Sequence, residues 1–117
     1  MINTDHKDNI VYVTVFGEFT LADYKEFEDL VRYKLKFVGP MNLFFDLRQM
    51  ADFTLDVALE EVRFARDHAH DFRRIAVLTS SQWGAWTAWL SQLFVDADLR
   101  VFEEDKDAQA WVEASNM

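Results

Sequence analysis

Asn42-Leu43-Phe44-Phe45-Asp46-Leu47 is a mostly apolar run with little alternation, the pattern expected of a strand in a parallel sheet covered on both faces. Upstream of it, Tyr24, Phe27, Val31 and Leu35 recur at spacings of three and four. That periodicity predicts an amphipathic helix from 21 to about 37, with Thr20 as its N-cap. Gly39-Pro40 ends the helix, because glycine accepts a left-handed cap and proline cannot continue the turn. Further back, Ile10-Val11-Tyr12-Val13-Thr14-Val15-Phe16 is β-branched and aromatic and stops at Gly17, so it reads as a strand. Ile2, Asn3 and Thr4 form a short partner strand for it, joined through the polar turn from His6 to Asn9. A strand, a helix and a second buried strand in that order make a parallel pair with a right-handed crossover.

The pattern continues downstream. Thr54 caps a second helix, Asp56 lies in its first turn, and Leu55, Ala58, Leu59, Val62, Ala65 and Ala69 form its buried stripe. Arg73-Arg74-Ile75-Ala76-Val77-Leu78-Thr79 is the next buried strand. Ser80 or Ser81 then caps a third helix that runs to about 95. Leu99-Arg100-Val101-Phe102 is a further strand, and a last helix starts near Asp105 or Lys106 and buries Ala108, Trp111 and Val112. The order β-β-α-β-α-β-α-β-α predicts one layered α/β domain over residues 1–117, with a mostly parallel central sheet flanked by helices.

Composition sets the bounds. At 117 residues and 50% hydrophobic, the chain can bury roughly two-thirds of its unfolded surface around one core. It has three glycines, one proline and no cysteine, which leaves no linker, no disulfide, no thiolate nucleophile and no cysteine-based zinc site. No apolar run approaches the ~20 residues of a membrane-spanning helix. The start of the chain is polar and carries no secretory pattern, so a cytoplasmic location is expected. A formal charge of −9 opposes nucleic-acid and anionic-lipid binding, and neither is an expected partner.

Three local patterns carry a family resemblance: Phe45-Asp46-Leu47-Arg48 at the end of one inner strand, Asp71-Phe72-Arg73-Arg74-Ile75-Ala76-Val77 leading into the next, and Trp83 opening the third helix. With the element order, they make the chain from Val11 to Val112 resemble the SpoIIAA-like (STAS-type) domains. The resemblance implies a regulatory fold related also to the lipid-carrying CRAL-TRIO domains. In anti-sigma-factor antagonists of that family, a serine preceded by an aspartate opens the helix after the strand and is phosphorylated. The matching positions here are Thr54 and Leu55, and Leu55 has no hydroxyl, so the phosphoswitch does not carry over.

In an open parallel sheet, ligands approach the carboxyl ends of the strands. Asp46 to Gln49, Thr79 to Gln82 and Glu103 to Asp105 meet there. Arg48 with the hydroxyls of Thr79, Ser80 and Ser81 could hold a small anion; the plainer reading has Ser80 or Ser81 capping the helix and Arg48 paired with Asp46 or Asp52. His68 and His70, two apart on a helix, point about 200° away from each other and do not make a metal site. No strained nucleophile elbow marks a Ser80–His68–Asp46 triad, and Glu103-Glu104-Asp105-Lys106-Asp107 lacks the ligand spacing of an EF-hand. Arg32, Lys34 and Lys36 form a basic cluster at a helix C-terminus, where a solvated face and the dipole account for them.

Trp83, Trp86 and Trp89 are the most informative residues. Steps of three rotate each side chain about 60°, so the trio spans about 120° of the helix before Leu93 is added, as wide as the usual apolar stripe. The indoles either pack wholly into the core or leave apolar surface for a second copy, a protein partner or an apolar ligand, with Met50 on the neighbouring strand end as a lining residue. The expectation is a non-enzymatic interaction or regulatory module, homodimeric, acting through that helix and the adjacent strand ends. The alternative is a carrier or sensor of a small apolar ligand or lipid. No cofactor and no catalytic residue are expected.

Overall fold

In the computed structural model, residues 1–53, 63, 72–79 and 98–114 are described. Strands β1 (Ile2–Lys7), β2 (Ile10–Phe19), β3 (Met41–Phe53), β4 (Phe72–Leu78) and β5 (Asp98–Phe102) form one sheet, with helices α1 (Leu21–Val38) and α2 (Asp105–Ala114). The strand order is β1-β2-β3-β4-β5. β1 runs antiparallel to β2, and the other three neighbouring pairs are parallel. The second and third helices of the expected order fall on residues 54–71 and 80–97. Of these only Arg63 is described, and it is helical; the caps read at Thr54, Ser80 and Ser81 lie outside the described residues.

Helix α1 begins as the sequence predicts. The Thr20 hydroxyl accepts from the Asp23 N–H at 3.3 Å and the Asp23 carboxylate accepts from the Thr20 N–H at 3.1 Å. Two amides that the first turn cannot pair internally are thereby satisfied together. Gly39 closes the helix at φ +78°, with its N–H on the Leu35 carbonyl.

Three strands run beyond their sequence-predicted ends. β1 reaches Lys7, so the turn into β2 shrinks to Asp8 and Asn9, where Asp8 adopts φ +54°. β2 continues through Gly17, at φ +62°, to Phe19. β3 reaches Phe53, past its last β4 partner, where Asp46 lies opposite Leu78. Its extension pairs with the end of β2 through two bulges: while β2 steps from Thr14 to Phe16, β3 steps from Asp46 to Gln49, and a second extra residue falls between Met50 and Asp52. Each bulge breaks the period-two alternation by which a strand is read in sequence.

The sheet separates two cores. On the α1 face, Val11, Val13 and Val15 of β2 join Leu43 and Leu47 of β3, Ile75 and Val77 of β4, and Tyr24, Phe27 and Val31 of the helix. On the opposite face, Ile10, Phe44, Ala76 and Leu78 meet Ala108 and Val112 of α2, with Tyr12, Phe102 and Trp111 at the margin. Alternate residues of β2 and β4 thus feed different cores, which is why these strands read as unbroken apolar runs.

Candidate functional site

The carboxyl edge of the parallel strands carries the charged residues that the sequence placed there. The Arg48 guanidinium donates to both oxygens of Asp46, from Nε at 3.0 Å and from Nη2 at 2.7 Å, and the Arg48 backbone N–H donates to the same carboxylate at 3.1 Å. Asp46 is buried and Arg48 half exposed. The bulge at Leu47 and Arg48 makes this geometry: the extra residue turns the Arg48 backbone and side chain back onto a carboxylate two positions earlier. Hydrogen bonding to Asp46 holds the guanidinium protonated even above its ordinary range, against partial desolvation, and the fields of Asp46, Asp105 and Glu104 add to it. An anion arriving at Arg48 therefore has to compete with Asp46.

Thr79 follows β4 and is buried, and its N–H donates to the Phe102 carbonyl at 3.0 Å. That bond ties the start of the tryptophan-bearing connection to the end of β5, on the same sheet edge as the Asp46–Arg48 pair. β5 lies parallel to β4, with Asp98 beside Arg74. Trp83, Trp86, Trp89 and Leu93 belong to that connection and, like Ser80 and Ser81, lie outside the described residues. So do His68, His70 and Asp71.

Met50 departs from its expected role. It is only 5% exposed and packs in the α1-face core with Leu47, because the bulge between them re-aims the alternation and brings both residues to one face. Lys34 departs from its expected role too: read as part of a solvated basic face, it is 8% exposed. Its ammonium lies 3.2 Å from His6 Nδ1 and donates to the Asp8 carbonyl at 3.3 Å, pinning the β1–β2 turn to α1. Arg32 of the same cluster is exposed and pairs with Glu28 at 3.1 Å.

Sequence reasoning missed the polar anchors of α2. Asn42 is fully buried; its Nδ2 donates to the Val112 carbonyl at 3.1 Å and its Oδ1 accepts from the Arg74 N–H at 3.0 Å. The Arg74 guanidinium donates to the Trp111 carbonyl at 2.7 Å and lies over the Trp111 ring, with Arg100 over that ring as well. Two carbonyls in the last described turn of α2 are thus met by an amide and a cation. The one available signal was a polar side chain opening an otherwise apolar strand.

Beside α2 the sheet face is open among the described residues. Asn3 and Asp5 of β1, Tyr12 and Thr14 of β2, and Gln109 and Glu113 of α2 line a groove of about 590 Å³. Burial raises the Tyr12 hydroxyl pKa above its usual 10.0, and the charges of Glu113, Asp5, Asp8 and Asp105 raise it further. Among the described residues no group of three or more histidine or acidic side chains could hold a metal ion, and no helix is long and apolar enough to cross a membrane.

Comparison with known proteins gives one consistent family. The family model described as SpoIIAA-like matches residues 10–113. An uncharacterised protein with a SpoIIAA-like fold from Shewanella loihica PV-4 superposes with a TM-score of 0.76 at 19% identity, covering 96% of this chain and 92% of that one. The unphosphorylated form of the anti-sigma factor antagonist SpoIIAA superposes at 0.60 and 10% identity, over 100% of both chains. An anti-sigma factor antagonist from Mycobacterium paratuberculosis gives 0.58 at 15%, covering 97% of this chain and 93% of its own. Among curated proteins, none matches the chain.

Proposed function

The chain belongs to the SpoIIAA-like family, and on that premise we propose that it is a non-enzymatic regulatory module that binds a protein partner at the carboxyl edge of its sheet. The observation that carries this reading is the Thr79–Phe102 bond beside the Asp46–Arg48 pair. It sets the entry to residues 80–97 at an edge whose charged groups are already held in fixed geometry. Pre-paired groups lose little entropy on binding and add specificity at a rim, and the apolar contribution falls to the tryptophans. Trp83, Trp86, Trp89 and Leu93 are assigned to contact a second copy of the chain, which makes the module homodimeric. The neighbours named as anti-sigma factor antagonists support the regulatory reading. By the family resemblance, Thr54 and Leu55 match the antagonists' phosphorylated motif and Leu55 has no hydroxyl, so control here runs through contact rather than phosphorylation at Leu55. The same edge serves an anion, through Arg48, Thr79, Ser80 and Ser81, only if the anion displaces Asp46. A cytoplasmic setting is part of this proposal.

Sedimentation at micromolar concentration tests it, with Trp86→Lys as the perturbing variant. A dimer that becomes a folded monomer on substitution supports the reading. A wild-type monomer with the emission of wholly buried indoles removes the dimer. Lipid that co-purifies with the protein, seen in gentle mass spectrometry, would favour the carrier alternative.

A further inference from the structure

The groove between α2 and the β1–β2 hairpin lies on the face opposite α1, away from the partner edge proposed above, and it has its own chemistry. Its floor is the α2-side row of the hairpin, where Asn3 lies opposite Thr14 and Asp5 opposite Tyr12; its wall is Gln109 and Glu113. The Tyr12 ring is half buried and backed by Phe44 at 5.4 Å between ring centres, so it offers a fixed aromatic surface. About 590 Å³ is ample for a ligand, yet the lining is polar and open, unlike the enclosed apolar walls that hold lipids and most small molecules. The carboxylates of Asp5 and Glu113 repel anions. The same sign of field pushes the Tyr12 hydroxyl upward, with Asp8 and Asp105 contributing and burial as the larger cause. Among the described residues, Lys7 is the one cation lining the groove, at the turn end.

We propose that this groove binds an extended, lysine- or arginine-bearing segment of a protein partner, with its cationic side chains set between Asp5 and Glu113 and over the Tyr12 ring. Charge complementarity selects the cation, and the ring adds cation–π attraction. The form of the site selects a peptide over a small amine. β1 has six residues, about 20 Å at ~3.3 Å per residue, and among the described residues it pairs on one side only, with β2. An extended segment can follow it and use its outer backbone groups as well as the groove.

The test is an amide NMR titration of the intact chain with a capped pentapeptide of alternating lysine and valine, beside the same peptide with glutamate for lysine. The expected result is shifts concentrated at Asn3, Asp5, Tyr12, Thr14, Gln109 and Glu113 with the lysine peptide and none with its counterpart. Asp5→Asn with Glu113→Gln, both at exposed positions, should weaken binding about fivefold or more, whereas Glu26→Gln with Asp29→Asn on α1 should change it less than about twofold. Equal loss in the two double variants, or shifts spread over all acidic surfaces, would overturn the proposal, because binding would then follow net charge. Spermine shifting the same residues with equal or higher affinity would also overturn it, in favour of a small-amine site. None of these outcomes depends on whether the chain dimerises through residues 80–97.

Discussion

On the α1 face, β2, β3 and β4 present valine, leucine and isoleucine to Tyr24, Phe27 and Val31, and the helix is fixed by a capping box at one end and Gly39 at the other. On the α2 face the apolar set is much smaller among the described residues. A ten-residue helix is held there by Asn42 and Arg74, with open sheet beside it. The difference is one of mechanism. Apolar burial is non-directional and grows with area, so the α1 face gains stability from continuous coverage. Directed bonds from Asn42 and Arg74 position α2 with a smaller apolar contact, and a polar groove lies beside it. Continuous apolar coverage and a few directed polar bonds thus divide between the two sides of one sheet among the described residues.

The largest expected effect breaks the α1 face. Phe27 is buried against Phe45, with ring centres 5.1 Å apart, and against Tyr24. Phe27→Ala should cost about 3–5 kcal/mol in denaturant unfolding. Asn42→Ala should cost about 1–3 kcal/mol, since the Val112 carbonyl and the Arg74 N–H lose a buried partner. It should speed amide exchange in α2 while leaving α1 unchanged, which sharpens the contrast between the faces. Thr20→Ala should cost about 1 kcal/mol by opening the cap of α1.

Two pH effects follow in size. Burial opposes ionisation of the Asp23 carboxyl, but bonds from the N-terminal ammonium and from the Thr20 backbone and hydroxyl outweigh it and hold the group below its ordinary 3.8. Its contribution to stability is therefore present above about pH 3.8 and is lost as pH falls through the lower folded value. Asp23→Asn should flatten that part of the acid unfolding profile. On the other face, ultraviolet titration should find Tyr12 ionising above 10.0. Glu113→Gln should bring it only part of the way down, because burial is the larger cause.

How much of this was legible in the chain depended on the kind of interaction. The capping threonine, the helix stripe and the Gly39-Pro40 stop are local signals, and they placed α1 to within a residue. The element order carried the family. Local periodicity could not show the extension of β3 through Gln49, Met50, Ala51 and Asp52, because two bulges remove the alternation. The packing of Met50 in the α1-face core was not legible for that reason. Lys34 was misassigned because its partners sit 28 and 26 positions away in the chain, and Asn42 was overlooked because Val112 is 70 positions away. The Asp46–Arg48 pair spans two residues and was read as one of two pairings. The open groove beside α2 comes from strand pairing and helix docking together, so no single segment announces it.

Amide hydrogen exchange on the intact protein tests the central claim, that one face of the sheet carries the stability and the other is held by a few polar bonds. The account predicts that the amides of α1, β2 and β3 open only with global unfolding, while those of α2 exchange through a separate opening of lower free energy that Asn42→Ala lowers further. Exchange of α1 and α2 with the same free energy, both unaffected when that substitution is made, would contradict it.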